Sequence, residues 1–244
     1  KGEKLKKVDK LNLSLIIPCY NEAENIPLLL RRCDEVLSQA SNIEIVIVDN
    51  GSTDNTPAIL DELLVHKPYI VKVRVELNQG YGYGILAGLR ASSAEIIGWT
   101  HADMQTDPAD AIKGLALFED SSKPTQLFVK GKRRGRPVLD ILFTIGMAIF
   151  ETFLLRRIMW DINAQPTMFH RDFFTTWDSP PDDFSLDLYA YYLAKKSGLK
   201  IKRFPVLFSE RAYGTSHWNI SLVAKYKFIK RTLIYSFSLY RKMK

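Results

Sequence analysis

Carboxylates stand in two short loops, and each loop follows a run of β-branched or aliphatic residues. Asp49 opens Asp49-Asn50-Gly51-Ser52-Thr53-Asp54 after residues 43–48, and Asp103 lies in His101-Ala102-Asp103-Met104-Gln105 after residues 96–99. A carboxylate at the end of a strand can hold a ribose hydroxyl, a base edge or a divalent cation. Asp103 and Gln105 sit close together in an extended loop and offer oxygen ligands to one Mg2+ or Mn2+ beside a diphosphate. The same residue types also cap helices, and Asp107-Pro108 reads as a helix start. Gly80-Tyr81-Gly82-Tyr83-Gly84 adds a glycine-rich turn, where backbone can approach a phosphate closely. It has neither Walker nor GxGxxG spacing.

The elements that must position these loops follow from hydrophobic periodicity. Residues 13–18 predict a strand ending in Pro-Cys-Tyr-Asn-Glu, after which Ile26, Leu29, Leu30, Cys33 and Leu37 recur at helical spacing. The unit repeats with a strand over 43–48 and a helix over 57–64, then a strand over 71–75, a helix reaching Ala91 and a strand over 96–99. Alternating strands and helices predict an α/β fold with a mostly parallel, Rossmann-like, doubly wound sheet flanked by helices. Ligands of such sheets bind beyond the carboxyl ends of the strands, where Asp49 and Asp103 lie.

The second half is less regular. A basic stretch over 130–136 precedes an apolar helix over 138–155, which Asp140 and Glu151 interrupt. Its uninterrupted apolar part is shorter than the roughly 20 residues a bilayer demands, so it is expected to lie on a membrane or in the core. A helix over 184–196 and a strand over 201–208 follow. In the tail Leu222, Tyr226, Ile229, Leu233, Phe237 and Tyr240 recur at helical spacing, with Lys227, Lys230, Arg231 and Lys242 largely elsewhere around the helix. That pattern suits a helix in the headgroup plane or one packed on the domain.

Composition narrows the partners. A chain of 244 residues, 46% hydrophobic, can bury one large α/β core, and 34 Lys and Arg against 27 Asp and Glu give a net charge of +7 that attracts phosphate. Cys19 and Cys33 lack metal-site spacing and predict no disulfide framework, which fits a reducing cytoplasmic setting. Residues 1–10 are charged and are followed by a short apolar run, unlike a signal peptide or a membrane span.

Five segments, in order, carry a resemblance to a known family. They are Ile-Ile-Pro-Cys-Tyr-Asn-Glu-Ala-Glu-Asn-Ile at 16–26, Val-Asp-Asn-Gly-Ser-Thr-Asp-Asn-Thr at 48–56, Asn-Gln-Gly-Tyr-Gly at 78–82, Ala-Asp-Met-Gln-Thr-Asp-Pro at 102–108 and Arg-Ala-Tyr-Gly-Thr-Ser-His-Trp at 211–218. Together they resemble family 2 glycosyltransferases of the GT-A fold, most closely the branch of dolichyl-phosphate mannose synthase and bacterial polyprenyl-phosphate glycosyltransferases. The resemblance implies that Pro18, Tyr20, Glu22 and Asp49 hold the base and ribose of a nucleotide-sugar donor, UDP- or GDP-linked, with Asn50, Gly80, Gly82, His101 and Ala102 in the same donor loops. Asp103, the central catalytic position, and Gln105 match ligands of Mg2+ or Mn2+ and the diphosphate. Arg211 matches a phosphate-gripping residue, Ser216 and Trp218 lie where a mobile loop would close, and Gly131-Lys132-Arg133 resembles the family's Gly-Ser-Arg, bringing Arg133 near donor or acceptor phosphate. Asp187 resembles the acidic position before the late helix and is the candidate general base, with Asp182 and Asp183 as rivals.

Two departures stand out. His101 occupies the first position of the family's Asp-x-Asp, which removes one negative charge from the cation's surroundings. Residues 161–170 differ from the usual Asp-Thr-x-x-Gly-Phe form where the family turns its acceptor loop. The resulting expectation is an inverting, metal-dependent hexosyltransferase: residues 1–218 form the catalytic domain, 136–160 an interfacial helix region and 219–244 a basic amphipathic tail. It would use a polyprenyl-phosphate or related lipid-linked acceptor as a peripheral protein on the cytoplasmic face of a membrane. A glycan hydroxyl acceptor and a catalytically silent scaffold are the alternatives. Nucleic acid is not an expected partner, because no helix-turn-helix or aromatic platform accompanies the basic stretch.

Overall fold

The computed structural model describes residues 12–213 and 222–242. In chain order these form β1 (Leu13–Cys19), α1 (Ile26–Gln39), β2 (Ile43–Asn50), α2 (Thr56–Leu64), β3 (Ile70–Val75), α3 (Tyr81–Ala91), β4 (Ile96–Trp99) and α4 (Asp110–Glu119). There follow β5 (Leu127–Arg134), α5 (Val138–Leu155), β6 (Thr167–His170), α6 (Arg171–Thr175), α7 (Leu186–Lys196), β7 (Lys200–Leu207) and α8 (Leu222–Lys242). The strands make one sheet in the order β3-β2-β1-β4-β6-β5-β7. β1 pairs in parallel with β2 and β4, and β6 enters antiparallel between β4 and β5.

The central strands are apolar on both faces because helices cover both. Leu13, Leu15, Ile17 and Cys19 of β1 point to the side packed by α1, α2 and α4, where Ile26, Leu29, Leu30, Cys33 and Val36 make the buried stripe of α1. Ile16, Val46, Val48 and Trp99 face the other side, against α3, α6 and α7. Proline in the first turn starts both α1 and α2, where its missing N–H costs nothing. Asp107 caps the entry to α4 by accepting the Ala109 N–H at 2.8 Å, as Asp107-Pro108 predicts.

One expectation changes. The glycine-rich segment is the start of α3 rather than a free turn: Gly80, at φ 125°, precedes the helix, while Gly82 and Gly84 are buried within it. A Cβ on Gly80 would lie 2.3 Å from the Asp182 carbonyl oxygen, and one on Gly82 would lie 2.5 Å from that of Pro181. Both glycines therefore admit the backbone of 181–183. Most of the basic stretch, 130–134, is strand, and Lys130 is buried within β5. The tail helix α8 packs on α5 through Phe150 and Phe237, 6.1 Å apart, and through the buried Ser236, which donates to Glu151 at 2.5 Å.

α5 is the one helix among the described residues long and apolar enough to cross a membrane, by length and composition. Only Ala148, Glu151 and Leu155 are buried along it, and Leu139 and Phe153 are 79% and 80% exposed. Burial raises the Glu151 carboxyl to about 7, against the hydrogen bond from Ser236. A folded-state pKa raised this far stabilises at low pH, and that contribution is lost as pH climbs from the ordinary carboxylate range through 7. Replacing Glu151→Gln should flatten this limb, gaining about 2 kcal/mol over the wild type at pH 8 relative to pH 5 in urea unfolding. Parallel stability profiles for the two proteins would contradict the assignment.

Candidate active site

The switch point of the sheet lies at β1, which runs to β2 on one side and β4 on the other, so their carboxyl ends flank a common crevice. Cys19 pairs with Asp49 and Ile16 with Trp99, and Thr100 N–H reaches the Ile16 carbonyl at 3.0 Å. This register delivers the loops after all three strands to one place.

The loops after β1 and β2 brace each other. Asn21, at φ 55°, accepts the Thr53 N–H at 2.8 Å and donates its own N–H to Ser52 Oγ at 3.0 Å. Glu22 N–H bonds Thr56 Oγ1 at 2.9 Å. Asp49 and Asn50 are both buried. Asp49 Oδ1 accepts the Ser52 N–H at 3.1 Å, and Asn50 Nδ2 donates to the Gly80 carbonyl at 2.9 Å. Pro18 is half-buried and Tyr20 exposed at the rim of this region. Glu22 is pushed up by burial, opposed by the hydrogen bond from Asn25; nearby Asp103 pushes the same way and Arg211 opposes it.

Asp103 is buried beside Ala102, and its Oδ2 meets Arg211 Nη2 at 2.9 Å while Oδ1 accepts the Gln105 N–H at 3.1 Å. Met104 between them has φ 59°, a left-handed conformation that a non-glycine residue holds only when its surroundings enforce it. Gln105 Nε2 donates to the Ser209 carbonyl at 3.3 Å, which ties the loop to the chain just before Arg211. His101 is held below the ordinary imidazole range by burial first, with Asp103 and Asp187 pulling the other way. A neutral imidazole therefore stands where the family has a carboxylate.

A second charged cluster lies beyond β5. Asp161 receives Arg133 at Nε, 2.8 Å from Oδ1, and at the backbone N–H, 3.2 Å from Oδ2; Arg133 Nη2 also contacts Oδ1, and Arg136 Nη1 lies 3.9 Å away. Burial acts to raise Asp161, but Arg133 and its hydrogen bonds prevail and hold the carboxyl below its usual range. Arg203 closes the cluster, donating to the carbonyls of Gly131 at 2.8 Å and of Trp160. Asp187 lies in the first turn of α7, fully enclosed, 3.8 Å from Lys130 Nζ. Asn50 Oδ1, Gln165 Oε1 and Arg211 Nε are buried without a hydrogen-bond partner among the described residues, as expected for groups that await a ligand.

Most of the predicted site residues therefore converge. Gly80 and Gly82 serve chain packing against 181–183, and Asp183, a rival of Asp187, pairs with Arg231 at 3.4 Å and caps Ser185. Ser216 and Trp218 lie outside the described residues. Sequence reasoning missed Tyr81, whose hydroxyl contacts Gln165 Nε2, and also Lys130, Arg136, Asp161 and Arg203 as parts of the site. The period-two alternation of Leu-Phe-Val-Lys, which sets Lys130 on the same face as buried Phe128, is the signal that could have found one of them.

Residues 14–174, more than half of the chain, match the family Glycosyl transferase family 2. The chain belongs to that family, as an α/β enzyme of the GT-A type. It is 28% identical over 219 residues to polyprenol monophosphomannose synthase of Mycolicibacterium smegmatis, covering 83% of this chain and 79% of that one. To undecaprenyl-phosphate 4-deoxy-4-formamido-L-arabinose transferase of Yersinia enterocolitica it is 34% identical over 124 residues, 49% of this chain and 36% of that protein. Among solved structures, glucosyl-3-phosphoglycerate synthase from Mycobacterium tuberculosis with Mn2+, UDP and glucosyl-3-phosphoglycerate superposes with a TM-score of 0.67 at 15% identity, covering 94% of this chain and 79% of that one. A mannosyltransferase from Pyrobaculum calidifontis with GDP-mannose and Mn2+ gives 0.63 at 20% identity, covering 91% and 65%. At these identities the structural likeness is one of fold.

The Asp161 cluster holds its arginines by a nearly dry carboxylate, so removing that charge leaves buried cations unpaired. Asp161→Asn should lower the unfolding free energy by about 3 kcal/mol at neutral pH, read by denaturant titration. A change within experimental scatter would mean that the arginines find other partners.

Proposed function

We propose that the chain transfers a hexose from a nucleoside-diphosphate sugar to a polyprenyl phosphate, working from the cytoplasmic surface of a membrane. The observation that carries this reading is one of adjacency. The Arg133-Arg136-Arg203 cluster, which can take a phosphate, stands at the root of α5, whose apolar face is exposed from its first residues: Val138 is 71% and Leu142 58% exposed. An acceptor with an anionic head and a hydrocarbon tail matches both at once. Arg156 and Arg157 are exposed at the far end of α5, so the face is basic at both ends and suited to anionic headgroups. The polyprenyl-phosphate substrates named for the relatives agree with it.

Donor and cation would meet at the other end of the crevice. Asp49, Glu22 and Tyr20 would hold base and ribose, with Asn50 and His101 lining the approach. Asp103 and Gln105 would hold Mg2+ or Mn2+, and they fit it by chemistry: both present hard oxygens, and Asp103 already carries the cationic Arg211 in this structure. When bound, that cation neutralises charge building on the departing diphosphate. With a cation in its place on Asp103, Arg211 would be free to turn to the phosphates. The acceptor's phosphate oxygen is already ionised at neutral pH, so attack from the opposite face, with inversion, needs no strong base. Arg133 would orient that oxygen.

Two outcomes test the reading. Asp103→Ala should lower transfer from GDP-mannose or UDP-glucose to undecaprenyl phosphate, with Mn2+ present, by about a hundredfold or more while circular dichroism stays unchanged. Full turnover in that variant would refute the cation assignment, and absence of transfer by the wild type with any such donor would refute the function. Leu139→Ser combined with Phe153→Ser should weaken co-sedimentation with phosphatidylglycerol vesicles by about tenfold, since two large apolar side chains leave the interface. Undiminished sedimentation would remove α5 from the membrane contact.

A further inference from the structure

Lys130 is fully buried in β5 and takes no part in the reaction as drawn so far. β5 alternates faces, so Leu127 and Val129 join the α1 side of the sheet while Phe128 and Lys130 point to the α7 side. There Lys130 Nζ donates to Thr167 Oγ1 at 2.5 Å, stands 3.8 Å from Asp187 Oδ1, and lies 6.0 and 5.9 Å from the ring centres of Phe128 and Tyr191. A buried ammonium is costly, and a hydrophobic side chain of similar length would fill this space at less expense. Its placement asks for a reason beyond stability.

Asp187 supplies one. It is enclosed, faces His101 and Arg133 as well as Lys130, and lies within electrostatic reach of Tyr81. Uncompensated, that carboxylate would repel an incoming phosphate at the place where Arg133 must attract it. We propose that Lys130 is a positioning residue for the acceptor phosphate: its charge cancels that of Asp187, so the anion meets only the cationic side of the pocket. The inference rests on the phosphate-acceptor reading given above. One proton shared by the two side chains gives an ammonium with a carboxylate or an amine with a carboxylic acid, and both arrangements are neutral. Burial brings Lys130 down to about 7, opposed first by Asp187, while Arg203 and Arg133 act with burial and Asp161 against it. Burial likewise raises Asp187, opposed by Lys130 and then by His101 and Arg133.

The test is binding of farnesyl phosphate, a soluble polyprenyl phosphate, measured by calorimetry between about pH 5.5 and 8.5. Each Kd is divided by that of Lys130→Met with Asp187→Asn, which carries neither charge, so that the ligand's own ionisation cancels. Lys130→Met leaves Asp187 alone, and its relative Kd should rise about tenfold across that range as the carboxylate ionises. Asp187→Asn leaves Lys130 alone, and the sign reverses: its relative Kd is lowest at the acidic end, the advantage fading as the amine loses its proton. The wild type, whose pair holds one proton, should stay level below about pH 7 and weaken above it as Lys130 gives that proton up. A structural role alone would alter thermal stability and leave all three ratios flat. Flat ratios or no farnesyl phosphate binding by the wild type overturn the proposal. Should Lys130→Met not fold, the reversed sign in Asp187→Asn decides it. Transfer from nucleotide sugar is measured separately, so a wild type that binds farnesyl phosphate but transfers nothing sinks the function and leaves the pairing to stand on its own ratios.

Discussion

Parallel pairing of β1 with both β2 and β4 is the constraint on which the rest depends. A parallel ladder brings the carboxyl ends of its strands to one side, and a strand flanked by neighbours entered from opposite directions leaves a gap between the helices that follow. Asn21, Glu22, Asp49, Asn50, His101 and Asp103 all lie at or just beyond one of those ends. The loops do not merely arrive together; the bonds between Asn21 and Thr53, between Glu22 and Thr56 and between Gln105 and Ser209 lock them to each other. Such bracing is what allows Asn21 and Met104 to hold left-handed backbone in short loops.

The second organising feature is charge kept in balance without water. Three buried carboxylates each have a resident cation: Asp103 has Arg211, Asp161 has Arg133, and Asp187 has Lys130. Stranding any one of these charges would cost several kcal/mol, by the general behaviour of buried ions. The pairs differ in what they can exchange. Arg211 is partly exposed, so its end of the pair is open to solvent. The Asp161 cluster is held on several sides, with the Arg133 and Arg136 side chains only 10% and 11% exposed. Lys130 cannot leave, which makes it suited to a constant task.

The antiparallel strand β6 has a consequence for the acceptor side. By entering between β4 and β5 it moves β5 two strands away from the donor loops, and the chain between β5 and β6 becomes α5 with its exposed apolar face. The arginines at the end of β5 and an apolar helix are thereby consecutive in sequence and adjacent in space. α8 covers part of α5 and, through Arg231, reaches Asp183 and the ring of Phe184, which stacks on Tyr81 at 4.8 Å. The surface helices and the pocket are thus joined by direct contacts.

Much of this was legible in the residues alone. The first four strands, the helices among them, the apolar span of α5 and the carboxylates at strand ends all follow from local periodicity and local turn chemistry, which a single segment carries within itself. β5 and β6 were not legible. β5 contains Lys130, Lys132 and Arg133 and reads as solvated until its neighbours are known, and β6 has only four residues, Thr167 to His170, too few for a period to declare itself. The glycine segment could be read as a turn because nothing local reveals the backbone of 181–183 that needs the space. Which charges meet is likewise a non-local matter: Lys130 and Asp187, or Asp103 and Arg211, are far apart along the chain, and only the folding of the sheet and the docking of α7 bring each pair together. The amino-acid sequence determined the chemistry available and the elements that bear it; the tertiary structure alone decided which charges are dry, which are paired and which remain open to a ligand, because desolvation and Coulomb attraction depend on neighbours in space.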